Sequence, residues 1–203
     1  ELQDLLNLPE APLRIECYDM AHLQGTDYVG SMVVLEDGLP IKREYRKFKI
    51  KDVPGNDDYA AMKEVLTRRL SAYIAERDLP IEQRGEKPGK FAYPPQLILV
   101  DGGKGQLGVA MEVISELGLE HEIPVASLAK RLEEVFVPNK SEAVDVPRGS
   151  DALFMLQVIR DEAHRFANSF HRELRGKRMT KGALDGIQGL GEARKKKLIA
   201  HFG

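Results

Sequence analysis

The chain has no tryptophan, a single cysteine and only 6% aromatic residues across 203 positions. A lone cysteine, Cys17, excludes a disulfide within the chain and any zinc site built from cysteines. No apolar stretch approaches the roughly 18 residues of a membrane-spanning helix, so no membrane partner is expected. The start, Glu1-Leu2-Gln3-Asp4, has neither the basic nor the apolar region of a signal peptide. It also lacks an initiating Met, which points to a piece of a longer protein in an intracellular, cytoplasmic setting. Excess charge of one sign is missing too: 31% of residues are charged, yet the formal net charge is -2. A polyanionic partner must then be met by local clusters. Such clusters occur at Lys42-Arg43, Arg46-Lys47, Lys49 and Lys51, between Arg172 and Arg178, and at Lys195-Lys196-Lys197. Each serves equally well as a solvated face.

An apolar content of 42% is enough for one sizeable domain and a small appendage. Residues 1–12 form a lead-in. Strands are expected over 13–19, 28–35 and about 41–50, joined through the hairpin signal Asp37-Gly38 into an antiparallel meander. Asn56 or Asp57 can cap a helix whose apolar positions Tyr59, Met62, Val65, Leu66, Leu70 and Tyr73 follow the helical period. Residues 78–95, rich in proline, glycine and charge, predict a loop. A buried strand (97–101), a helix (105–117), a strand (124–128) and a short strand within 132–137 follow, then irregular chain to 149. The last long helix is expected over 151–174, with a stripe of Leu156, Ile159, Ala163, Phe166 and Phe170. Residues 175–182 predict a basic linker and 184–203 a separate helical unit. The order predicts the α/β class, a mixed sheet with helices on both faces.

Two aspartates end apolar strand runs. Asp19 shares a strand face with Leu13, Ile15 and Cys17, and Asp101 shares one with Leu97 and Leu99. A carboxylate that continues an apolar face is costly to bury unless paired or metal-bound. At adjacent strand ends the two could hold Mg²⁺ or Mn²⁺, which prefer oxygen ligands; alternatively each caps the turn after its strand. His164 lies off the apolar stripe of its helix. It suits a metal ligand or a proton acceptor, with Asp161 three residues earlier to orient the ring, or a surface charge network. His22 is a second candidate, close to Asp19 in sequence. The run Asp101-Gly102-Gly103-Lys104-Gly105-Gln106 has neither Walker A nor GxGxxG spacing, and makes best sense as the turn presenting Asp101. Near the end, Gly189-Leu190-Gly191 joins two helical turns. Glycines there expose backbone N–H groups to a DNA phosphate, with Arg194 and Lys195 to Lys197 adding charge, as in a helix-hairpin-helix.

With those residues in view, the chain closely resembles the C-terminal half of the UvrC excinuclease family of bacterial nucleotide excision repair. The stretches that carry the resemblance are Ile15-Glu16-Cys17-Tyr18-Asp19, His22 with Gln24-Gly25, Tyr45-Arg46-Lys47-Phe48, Asp57-Asp58-Tyr59-Ala60, Val100-Asp101-Gly102-Gly103-Lys104-Gly105-Gln106 and Ile159-Arg160-Asp161-Glu162-Ala163-His164-Arg165-Phe166. The resemblance implies an RNase H-like endonuclease domain over 1–178. A first helix-hairpin-helix motif would occupy 179–203, with the second truncated. It implies the incision 5′ to a lesion in damaged duplex DNA, within the UvrABC system. Asp19, Asp101 and His164 would be the catalytic, metal-holding triad, with one or two ions of Mg²⁺ or Mn²⁺. UvrB would be the partner, through a docking segment upstream of this chain, with UvrA acting earlier in the pathway. Arg46, Lys47, Lys104, Arg160, Gly189, Gly191, Arg194 and Lys195 are the expected DNA contacts. Two other readings are a DNA-structure-binding module without cleavage and an RNase H-type enzyme acting on RNA–DNA hybrids.

Overall fold

The architecture is that of a computed structural model, which describes residues 1–23, 27–53, 55–185, 187 and 190–202. After a short helix α1 (Leu2–Leu5) come β1 (Arg14–Leu23) and β2 (Asp27–Glu36). Asp37 and Gly38 both adopt positive φ (50° and 77°), as a tight two-residue hairpin requires, and turn the chain into β3 (Leu39–Pro40). The expected third strand does not run through to residue 50. Pro40 cannot donate a ladder hydrogen bond, and Glu44 is drawn to the buried Arg14 guanidinium. The chain therefore makes a 3-10 turn at Lys42–Glu44 before β4 (Arg46–Lys49).

The helix α2 (Asp58–Arg77) follows, and the Asp57 carboxylate caps it by accepting the Ala60 N–H at 3.0 Å. Next are β5 (Leu97–Asp101), α3 (Lys104–Glu116), β6 (Val125–Leu128) and β7 (Val135–Phe136). Two helices end the chain, α4 (Asp151–Asp185) and α5 (Glu192–Phe202). The basic segment 175–182, expected as a linker, is helical within α4. Arg, Lys and Met are good helix formers and no proline interrupts them, so charge alone does not end the helix.

The sheet order is β3-β2-β1-β5-β6-β7, with β4 also on β2. β1 pairs antiparallel with β2 and parallel with β5, and β5 pairs parallel with β6. Leu97 to Val100 are wholly buried, as a central parallel strand covered on both faces should be. Alternation along β1 divides the core. Glu16 and Tyr18 point toward α2, where the Arg69 guanidinium meets Glu16 at 2.8 and 3.0 Å. Cys17 and Asp19 point toward α4, whose Leu156, Ile159 and Ala163 are fully buried. α3 lies beside α2, linked by Lys63 to Glu112 and Glu116.

Glu16 and Arg69 are both wholly buried. Burial alone would push the Glu16 carboxyl up, but Arg69, Arg14 and the Tyr18 hydroxyl hold it below the usual range. Arg69 also donates to the carbonyls of Phe91 and Tyr93, pinning the 78–95 loop to the core. Removing one partner of such a pair strands a charge in the interior. Arg69→Met is therefore expected to lose about 3–5 kcal/mol, read as a lower urea midpoint. Adding Glu16→Gln should recover part of that loss.

Candidate metal centre and active site

β1 and β5 run parallel and in step, with Cys17 opposite Leu99 and Tyr18 opposite Val100. The next residue on each strand is Asp19 and Asp101. Two positions beyond the Cys17–Leu99 pair, both carboxylates project from the same face, onto an apolar floor. Gly102 then takes φ 148°, a conformation that favours glycine, and turns the chain out of the strand. The Gln106 side chain accepts the Gly103 N–H at 3.1 Å and starts α3. From the same side α4 brings in His164, next to the buried Ala163. Its Nε2 lies 2.6 Å from Asp101 Oδ2 and 3.7 Å from Asp19 Oδ2. One ligand atom from each of Asp19, Asp101 and His164 falls within 4.8 Å of the others.

Two carboxylates held this close cannot both ionise freely. Burial pushes the Asp19 carboxyl up to about 6, and the neighbouring Asp101 charge adds to it against His164 and Lys130. Burial also opposes the charge on Asp101. The hydrogen bond and charge of His164, with the charges of Lys130 and Arg160, nevertheless hold that carboxyl below its usual range. The Asp101 hydrogen bond raises His164 in turn, against burial. Beneath them, burial pushes the Cys17 thiol well up, so it acts as an inert apolar floor. Asp101 Oδ1 is buried and has no hydrogen-bond partner among the described residues. An acceptor without a donor, beside two further convergent ligand atoms, fits a hard divalent cation.

The site opens into a cleft of about 380 Å³ whose walls include Asp58, Lys130 and Arg131. None of these three stood out in the sequence as part of the site. Asp58 hides in the first turn of α2, where an acid is ordinarily explained by the helix dipole. It accepts a hydrogen bond from the Tyr28 hydroxyl. Lys130 and Arg131 lie in a loop with no motif of its own.

The other expected residues are dispersed. Asp161 does not orient His164; it pairs with Arg160, and Asp101 holds the imidazole instead. His22 stacks on Tyr28 and lies 3.8 Å from Asp58, outside the triad, because it is an odd number of residues from Asp19 along the strand. Arg160 bridges Glu133 and Asp161 beside the site. Lys104 donates to the Ser141 carbonyl and sits over Phe136. Arg46 donates to the carbonyls of Arg43 and Tyr45. Lys47 lies opposite Ser31, itself opposite Asp19, and packs over Phe166 and Phe170. Gly189 lies outside the described residues. Gly191 precedes α5, its carbonyl accepting from the N–H groups of Arg194 and Lys195.

Residues 3–168 match the family model described as the UvrC RNase H endonuclease domain. Over its whole length the chain is 50% identical to UvrABC system protein C of Parafrankia sp. (strain EAN1pec), covering 32% of that protein. It is likewise 50% identical to that of Mycolicibacterium smegmatis, covering 29%. The chain thus spans about a third of the length of the curated relatives it matches. Among solved structures, Ciona intestinalis endonuclease V in complex with an inosine-containing DNA aligns over 64% of this chain and 51% of its own. The TM-score is 0.37 and the identity 19%. Human ENDOV aligns at TM-score 0.35 and 17% identity, over 63% of this chain and 50% of its own. With four-fifths of its residues under one family model and full-length matches at half identity, this chain belongs to the UvrC RNase H endonuclease domain family.

Proposed function

We propose that the chain is the part of a UvrC protein that hydrolyses a DNA phosphodiester 5′ to a lesion, in bacterial nucleotide excision repair. The observation that supports this most is the convergence of Asp19, Asp101 and His164 at neighbouring strand ends, with Asp101 Oδ1 left without a donor. Asp19 and Asp101 would hold Mg²⁺ or Mn²⁺, with His164 completing the site as a ligand or as a proton acceptor. When bound, such an ion would supply Lewis-acid polarisation of the scissile phosphate and a lowered pKa for attacking water. The residues themselves orient that chemistry: the apolar floor keeps both carboxylates pointing outward, and the 2.6 Å contact fixes the His164 ring. One or two ions are compatible with two carboxylates and an imidazole.

Residues 1–178 act as the nuclease part, and 179–203 as the first helix-hairpin-helix. Gly189, Gly191, Arg194 and Lys195 there meet backbone phosphates without reading bases. Arg46, Lys47, Lys104 and Arg160 are further phosphate contacts in this reading. Substrate choice belongs to the UvrABC partners: UvrA earlier in the pathway, then UvrB docked through a segment outside this chain. The setting is cytoplasmic; among the described residues no helix is long and apolar enough to cross a membrane.

In a nicking assay on duplex DNA with Mn²⁺ or Mg²⁺, Asp19→Ala, Asp101→Ala and His164→Ala should each cost at least about 100-fold. Unchanged nicking in all three would refute the triad, and preferential cutting of an RNA–DNA hybrid would favour an RNase H-type enzyme.

The electrostatics generate a second expectation. Asp19 titrates at about 6 in the fold, above its ordinary 3.8. Between those values the folded state binds more protons than the unfolded chain, so its contribution to stability falls as pH rises through the window. Without divalent ions, Asp19→Asn should then stabilise the protein at pH 7.5 by about 1–3 kcal/mol, with the gain shrinking toward pH 4. Mn²⁺ should raise the melting temperature of the parent more at pH 7.5 than at pH 5.5, because Asp19 and His164 must shed protons to ligate.

A further inference from the structure

The β6–β7 hairpin closes over one side of the cleft. The Ala129 N–H donates to the Glu134 carbonyl at 2.9 Å, leaving Lys130-Arg131-Leu132-Glu133 as the loop. Its last two residues adopt φ 63° and 51°, a conformation that L side chains rarely take and that glycine would satisfy without strain. Strain of this kind persists only where the surroundings impose it, and it concentrates at functional sites. Here Glu133 is held by Arg160 at 3.2 Å and by Gln157, both on α4. Arg160 stands one helical turn before His164. The loop that carries Lys130 and the helix that carries His164 are thus tied together.

The tie holds two cations on the wall of a cleft whose other charged residues, Asp19, Asp58 and Asp101, are all carboxylates. Lys130 Nζ is 3.7 Å from Asp101 Oδ2, too far for a hydrogen bond, and its side chain is 71% exposed. Asp101 already has His164 at 2.6 Å. At that separation Lys130 is an ion-pair partner of Asp101 without a hydrogen bond, so its ammonium donors stay open to the cleft. Arg131 is exposed and has no ion-pair partner among the described residues. A polyanionic backbone entering over Asp19 and Asp101 meets like charge, and these two side chains offset it.

We propose that the β6–β7 hairpin tip is a phosphate-binding element: Lys130 takes the backbone phosphate that lies over Asp19 and Asp101, and Arg131 takes the adjacent one. The proposal deepens the nuclease reading and rests on it for the identity of the polyanion. In this arrangement Lys130 touches the reacting phosphate, whereas Arg131 serves only in binding.

The test compares the parent chain with Lys130→Met, Lys130→Arg and Arg131→Met; both side chains are exposed, so the variants fold. Duplex DNA binding is measured against salt with Ca²⁺ in place of Mn²⁺, and single-turnover nicking with Mn²⁺. Each lost phosphate contact flattens the slope of log K against log salt by about 0.9. That flattening is expected for Lys130→Met and Arg131→Met, with Lys130→Arg close to the parent. Nicking should fall about 100-fold in Lys130→Met, and only at subsaturating DNA in Arg131→Met. An unchanged slope in Lys130→Met would overturn the proposal. So would unchanged nicking with tighter Mn²⁺ binding, which marks Lys130 as a mere counter-charge to Asp101. A parent that binds but does not nick, with the slope still flattened by Lys130→Met, would establish the phosphate contact by itself and move the test of the nuclease reading to the full-length protein with its repair partners.

Discussion

The parallel, in-step pairing of β1 with β5 is the constraint on which the rest of the site depends. Because Tyr18 sits opposite Val100, the two aspartates that follow stand at neighbouring strand ends and both face α4. A slip of one residue between these strands would turn one carboxylate into the opposite layer. The register is secured by burial: Cys17, Tyr18, Leu99 and Val100 are all wholly inaccessible. Hydrophobic packing thus holds two like charges together that would otherwise separate. Three neighbours answer that repulsion: His164 hydrogen-bonded to Asp101, Lys130 3.7 Å from it and Arg160 beside it.

β1 carries a second buried carboxylate with the opposite fate. Glu16 points to α2, accepts from Arg69, Arg14 and Tyr18, and is held charged. Asp19, on the other face of the same strand, is raised by its burial and, after that, by the neighbouring Asp101 charge. The first arrangement satisfies its charge completely and joins strand, helix and the 78–95 loop into one core. The second leaves two acids side by side and the buried Asp101 Oδ1 without a hydrogen-bond partner among the described residues, an arrangement that fits a divalent cation. In the proposed reading, stability and chemistry are carried on opposite faces of one strand, and a departure from full polar satisfaction marks the face proposed to work.

A comparable division runs through the basic residues. Arg46 and Lys104 each make hydrogen bonds to backbone carbonyls, and Lys47 lies over aromatic rings. Lys130 and Arg131 occupy a short loop whose backbone takes an unfavoured conformation and whose base is tied to α4. Density of positive charge in the sequence is thus a poor guide to where cations meet the cleft. Folding orders them by what their heads find nearby.

The sequence by itself determined the layered α/β class, the order of the main strands and helices, the Asp37-Gly38 hairpin and a cap at Asn56 or Asp57, because each is written in a local period or one turn residue. It also singled out Asp19, Asp101 and His164, since acids at the ends of apolar runs and a histidine off its helix stripe are locally anomalous. Local composition misled where distant partners decided. Glu44, drawn to Arg14, and Pro40 broke the expected third strand, and the basic segment 175–182 continued α4 because charge does not end a helix. Only the tertiary structure decided that Asp101 rather than Asp161 holds His164, that Asp58, Lys130 and Arg131 border the same cleft, and that His22 stands apart. Those outcomes depend on strand register and helix placement, which arise from long-range packing and leave no mark on neighbouring residues in the chain.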